Sequence, residues 1–171
     1  MPTDHSTPDF DARAAMSGDH TRLARLFDDL LNAFEGDAQQ ACAALWTQFD
    51  SGLRRHFELE ERYILPYFRA DHPEEAEALQ REHAQILTKL ETLGIGVDLH
   101  LTRAEVVADF VHSIRQHAER EDQLLYAWTQ GVTEEPHPHR SWAWQVRAAI
   151  DKLIAHAHHD AAKLTRGSAL K

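Results

Sequence analysis

Two stretches of the chain carry the same polar pair at the same spacing. Glu60 follows His56 by four residues, and Glu121 follows His117 by four. On a helix that step returns to the same face about one turn along, so each His and its Glu can act on one partner. The pair by itself is a weak signal; its surroundings strengthen it. Steps of three and four through the first pair read Trp46, Phe49, Leu53, His56, Glu60, Tyr63, Tyr67. Through the second they read Val107, Phe110, Ile114, His117, Glu121, Leu124, Trp128. Both are apolar seams of the kind that helix bundles bury, interrupted at the middle by an imidazole and a carboxylate.

Two more imidazoles interrupt such seams. His20 sits in Met16, His20, Leu23, Phe27, Leu30, Phe34, and His83 sits in Ala76, Leu79, His83, Ile86, Leu90, Leu93. One buried His is explained well enough as a hydrogen-bonded core residue. Four imidazoles and two carboxylates in one core need a common partner, because each costs several kcal/mol when left unpaired. A cation is the economical one. Six ligands exceed what one tetrahedral zinc takes. Mixed nitrogen and oxygen donors on facing helices are the pattern of carboxylate-bridged two-metal sites. A Glu can bridge two ions through its two oxygens, and four imidazoles leave two for each ion. Open positions remain for an oxo or hydroxo bridge and for a small exogenous ligand. Iron is the expected metal, and manganese and zinc are compatible with the same donors.

The elements that must position these residues are helices. The chain has 171 residues and only 7 glycines. Ala, Leu, Glu, Arg and Gln dominate, and strand-like alternation is absent. The expectation is an all-α fold: an antiparallel up-and-down four-helix bundle with an additional C-terminal helix. Residues 1–10 read as a polar lead-in, 11–130 as the bundle, 131–140 as a linker and 141–171 as the C-terminal helix and tail. The first helix is expected to stop at Gly36. The second runs from about Ala38 to Arg69, with Pro66 kinking or shortening its last turn. The third starts at Asp71-His72-Pro73-Glu74-Glu75 and stops at Gly94-Ile95-Gly96, and Thr102-Arg103-Ala104-Glu105 reads as a capping box for the fourth. Equal depth on successive antiparallel helices means equal distance from the loop between them. The midpoints between His20, the His56/Glu60 pair, His83 and the His117/Glu121 pair fall near residues 39, 70 and 101, all in or beside expected loops. One level of the bundle can therefore hold all six.

These residues resemble a known family. Asp19-His20, His56-Phe-Glu-Leu-Glu60-Glu61 running into Ile64-Leu65-Pro66, Glu82-His83 and His117-Ala-Glu-Arg-Glu121-Asp122 look like a hemerythrin-like (HHE cation-binding) domain over about residues 10–130. The resemblance implies a four-helix bundle around a non-haem di-iron centre, with Glu60 and Glu121 as bridging ligands. Leu87 stands where oxygen-carrying hemerythrins have a further His. The ligand set is thus closer to the bacterial four-His two-Glu branch of iron-centre-repair and sensor-like proteins, and one ion is left more open. His117 and Asp122 also match the carriers' His-x-x-x-x-Asp spacing, so Glu121 and Asp122 both stand as bridging candidates, with the seam favouring Glu121. Glu61 and Asp122, one step off the seams, read as solvated acids or as acceptors from ligand imidazoles.

The functional expectation is a di-iron protein that binds, senses or handles oxygen, nitric oxide or peroxide. The alternative is a di-iron enzyme, peroxidase- or catalase-like or acting in iron-centre repair. No nucleophile elbow, phosphate loop or dinucleotide fingerprint accompanies the ligands, so the enzymatic reading is the lesser one. The net charge of −10 and the lack of a Lys/Arg cluster exclude a nucleic-acid partner. No apolar run approaches the roughly 18 residues that a membrane span needs. The lone Cys42 precludes an internal disulfide, and with no visible signal peptide the expected location is cytoplasmic. The C-terminal helix offers a contact for a homodimer. It also carries His156, His158, His159 and Asp160, read chiefly as solvated.

Overall fold

The computed structural model describes residues 12–36, 38–98 and 104–134. The order is α1 (Ala12–Glu35), α2 (Gln39–Leu59), a π-helical turn (Glu60–Ile64), α3 (Leu65–Asp71), α4 (Pro73–Asp98), α5 (Ala104–Gln123) and α6 (Leu125–Glu134). The π turn joins α2 to α3 as one rod, and α5 and α6 are nearly continuous across Leu124. The described chain is therefore a bundle of four rods. Side-chain pairs give the directions. Phe27 faces Phe49 at 5.0 Å and His20 faces His56 at 3.0 Å, so α1 and α2 run oppositely. His83 with Glu61 and Arg54 with Glu91 set α4 against α2 in the same way. Lys89 with Ser113 and Glu82 with His117 do so for α4 and α5. Arg13 with Gln130 and Ser17 with Asp122 close the ring between α1 and the last rod.

Two apolar clusters fill the interior. One holds Leu23, Phe27, Leu30, Phe49, Leu53, Phe57, Ile86, Leu90, Leu93 and Phe110, together with the buried Cys42. The other holds Met16, Leu59, Ile64, Leu65, Phe68, Ala76, Leu79, Leu125 and Tyr126. Each fully buried Leu, Ile or Phe contributes about 1.5–3 kcal/mol of transfer free energy. The polar residues that interrupt the seams lie at the join between the two clusters. Hydrophobic packing on both sides thus fixes the depth of that layer.

Several local expectations are corrected. Pro66 does not shorten the second rod. A proline cannot donate to the carbonyl four residues back, and its ring crowds that carbonyl. The turn ahead of it widens to π, with the Leu65 amide donating to the Glu60 carbonyl, and helix then continues to Asp71. The extra residue rotates the register. Ile64, Leu65 and Phe68 are buried, while Tyr63 and Tyr67, expected on the seam, are half-buried. On the last rod Leu124 is 38% exposed and Trp128 half-buried, while Leu125, Tyr126 and Thr129 face inward. Phe34, expected in the first stripe, is exposed. Gly94 and Gly96 do not end α4, which runs to Asp98. Gly94 serves packing instead, since a Cβ there would lie 3.1 Å from the Trp46 indole. Helix α6 extends to Glu134, into the segment expected as a linker. The polar lead-in, the Thr102 cap, residues 135–140 and the C-terminal helix with its His cluster and dimer contact lie outside the described residues. Among the described residues no helix is long and apolar enough to cross a membrane.

Candidate metal centre

His20 comes from α1, His56 from the end of α2, Glu60 from the first position of the π turn, His83 from α4, and His117 and Glu121 from α5. Each His-x-x-x-Glu spacing keeps both side chains on the inner face. His56, Glu60, His83, His117 and Glu121 are buried, and the His20 side chain is 15% exposed. All six converge in two overlapping groups: His20, His56, Glu60 and Glu121 in one, and Glu60, His83, His117 and Glu121 in the other. Within each group one nitrogen or oxygen per residue lies within 4.8 Å of the rest.

The two carboxylates divide their oxygens between the groups. Glu121 Oε2 is 3.2 Å from His20 Nε2, while Oε1 is 3.2 Å from His83 Nε2 and 2.9 Å from His117 Nε2. Glu60 Oε1 is 3.5 Å from His56 Nε2, and its Oε2 is 3.4 Å from His83 Nε2. Each carboxylate spans the gap between two pairs of imidazoles. Asp122, the competing bridging candidate, points elsewhere and accepts a 2.6 Å hydrogen bond from Ser17 Oγ.

Carboxylates outside the ring hold three of the imidazoles by their Nδ1 atoms. His56 Nδ1 lies 3.0 Å from Asp19, His83 Nδ1 2.9 Å from Glu61, and His117 Nδ1 2.8 Å from Glu82. With Nδ1–H donated outward, each Nε2 faces the centre and is the nitrogen that can give a lone pair to a cation once its proton is lost. Arg22 anchors Asp19 at 2.7 Å, and Arg120 anchors Glu82 at 2.6 Å. Phe57 stacks on His83 at 4.1 Å and meets His117 edge-on. The expectation of Glu61 as an acceptor from an imidazole matches this geometry. Asp19 and Glu82 were visible in the sequence only as the acids preceding His20 and His83. Each serves the imidazole of the neighbouring rod rather than its own neighbour in sequence.

Tyr126 had no role in the sequence reading. It is fully buried, donates its hydroxyl to Glu60 Oε1, and stands 3.4 Å from Nε2 of both His20 and His56. Five residues beyond Glu121, it falls off any seam drawn in steps of three and four, and no sequence signal marks it.

Proton affinities follow from these contacts. Burial would lower His83, but its hydrogen bond to Glu121 and the adjacent Glu60 carboxylate outweigh it and bring the imidazole up to about 10. Burial likewise opposes His117, yet Glu121 and Glu82 raise it to about 9. Burial would raise Glu121, and the surrounding imidazoles hold it well below the ordinary carboxylate value. Burial and then the charges of Glu121 and Glu60 push the Tyr126 phenol well above 10, so it remains a donor.

The donor set suits a cation. Glu60 Oε2, Glu121 Oε2 and His117 Nε2 are buried without a hydrogen-bond partner, the last despite its short but misaligned approach to Glu121. His20 Nε2 and His56 Nε2 face each other at 3.0 Å. Buried carboxylate oxygens that converge in this way leave desolvation uncompensated unless positive charge lies between them, as protons on the imidazoles or as a cation in their place. No curated protein and no solved structure matches the chain. The family model for the hemerythrin HHE cation binding domain matches residues 11–129. Helices, the buried His/Glu layer and the family match agree, and the chain belongs to the hemerythrin HHE cation-binding family.

Proposed function

We propose that the six residues hold two iron ions and that the centre binds, senses or handles oxygen, nitric oxide or peroxide in the cytoplasm. In this reading Glu60 and Glu121 bridge the ions. His20 and His56 complete one position, and His83 and His117 complete the other. The observation that carries it is the division of both carboxylates' oxygens between two pairs of imidazoles. Bound there, an iron pair would supply redox and Lewis-acid chemistry to a small ligand. The chain's own part is to fix the donors, exclude water and shape the access. Burial of Glu60, His83 and Glu121 keeps bulk water out. Asp19, Glu61 and Glu82 hold three imidazoles in the tautomer that points Nε2 inward.

Leu87 is half-buried against the apolar cluster around Phe57 and supplies no donor atom, which favours an open position beside His83. That same openness supports the second reading, enzymatic turnover of peroxide or iron-centre repair. An anaerobic titration of the metal-free protein with ferrous iron tests the first reading. Two ions bound per chain at saturation are expected for a carboxylate-bridged pair. Zero or one would overturn it. Turnover of peroxide above that of free iron would move the assignment to an enzyme.

A further inference from the structure

The ligand layer has an approximate twofold repeat, and the repeat is broken at one residue. On the second rod, Glu61 follows Glu60 and accepts from His83 Nδ1 at 2.9 Å. On the last rod, Asp122 follows Glu121 in the same way. Repetition of the pattern would bring Asp122 to His20 Nδ1. It is not there: Ser17 Oγ engages it at 2.6 Å, one turn ahead of His20 on α1. His20 Nδ1 is left buried without a hydrogen-bond partner. The other three imidazoles each have a carboxylate at that nitrogen.

A second contact acts on the same side. Tyr126 donates to Glu60 Oε1, the oxygen that faces His56. That hydrogen bond withdraws electron density from a donor of the His20/His56 position. Glu60 Oε2, which faces His83, has no such partner. Both contacts weaken one position and leave the other intact. Acceptors at the outer nitrogen raise a ligand imidazole's basicity and fix its orientation, and losing one costs about 10- to 100-fold in metal affinity.

We propose that the two metal positions are unequal: the His83/His117 position holds its ion tightly, and the His20/His56 position is weak and exchangeable because Ser17 withholds Asp122 from His20. This rests on the two-ion reading above. An exchangeable ion beside a retained one would let the protein report on, or pass on, iron without losing its centre.

The test is an anaerobic titration of the metal-free full chain with cobalt(II), in competition with a chelator of known affinity. The wild type should bind two ions in two steps, with dissociation constants at least about tenfold apart. His20→Ala should abolish the weak step and keep the strong one. Ser17→Ala, a small change outside the ligand layer, frees Asp122 to reach His20. It should tighten the weak step severalfold and leave the strong step unchanged. Two ions of equal affinity in the wild type would overturn the inequality alone and leave the two-ion reading standing. Loss of the strong step in His20→Ala, or an unchanged weak step in Ser17→Ala, would also overturn it. Failure of the wild type to bind a second ion would overturn both.

Discussion

Loading the centre should expel protons, and the number follows from the geometry. In the metal-free protein His83 titrates at about 10 and His117 at about 9. At pH 7 both imidazoles therefore carry two protons each. Their Nδ1 hydrogens are committed to Glu61 and Glu82, so the proton to be lost is the one on Nε2, where a cation would bind. An ion at this position must displace both Nε2 protons. Taken together the two groups stand about five pKa units above pH 7, which opposes loading by about 7 kcal/mol at that pH. The apparent association constant should then rise about a hundredfold per pH unit near neutrality, tenfold for each proton. The rise should flatten as pH passes 9 and then 10. Calorimetric titration at pH 7 in buffers of different ionisation enthalpy counts the protons directly. The slope of observed heat against buffer enthalpy should correspond to about two for the first ion. Glu121→Gln removes the carboxylate that contacts both imidazoles, so the slope should fall. A slope near zero in the wild type would mean that the imidazoles are already neutral, and the reasoning from the Glu121 contacts would fail.

The same shifts set the stability of the metal-free protein. His83 and His117 have folded values above the ordinary 6.5, so their contribution is complete below about pH 6.5 and is lost as pH rises through about 9 to 10. Thermal melts across that range should show a falling midpoint without metal and a smaller fall with it; a midpoint that rises would contradict the assignment. Glu82→Gln weakens the acceptor behind His117 and should reduce metal affinity by about 10- to 100-fold at an unchanged fold. Chelator competition measures this, and unaltered affinity would show that Glu82 is a surface acid without a part in the centre. Phe57 is 3% exposed and stacked on His83, so Phe57→Ala should cost about 3–5 kcal/mol in urea unfolding. A loss below about 1 kcal/mol would mean that the layer collapses around the vacated space.

The six central residues were legible before any coordinates because helical periodicity is a covalent property of the chain. Apolar seams identify the inward faces, so a His or Glu on a seam must be inside. The loop positions fix relative depth, so the six had to meet. The outer carboxylates were only half legible. Asp19 and Glu82 adjoin His20 and His83 in sequence, but each reaches an imidazole on another rod. Which acid meets which ring depends on how far one helix is rotated and shifted against its neighbour, and no single helix encodes that.

Other features were decided by packing. The π turn at Glu60–Ile64 absorbs the missing donor of Pro66 and rotates Tyr63 and Tyr67 off the seam. Gly94, which reads as a helix stop, instead lets the Trp46 indole pack close to the α4 backbone. Tyr126 lies off every seam and enters the centre only because the last rod meets α1 and the second rod beneath the ligand layer. Asp122 could serve a metal, an imidazole or solvent on sequence grounds, and a hydroxyl on α1 claims it. Periodicity along one helix thus settled which side chains lie at the centre. Contacts between helices settled which partner each of them meets, because hydrogen-bond partners are chosen by distances of a few tenths of an ångström that arise only when the rods are packed.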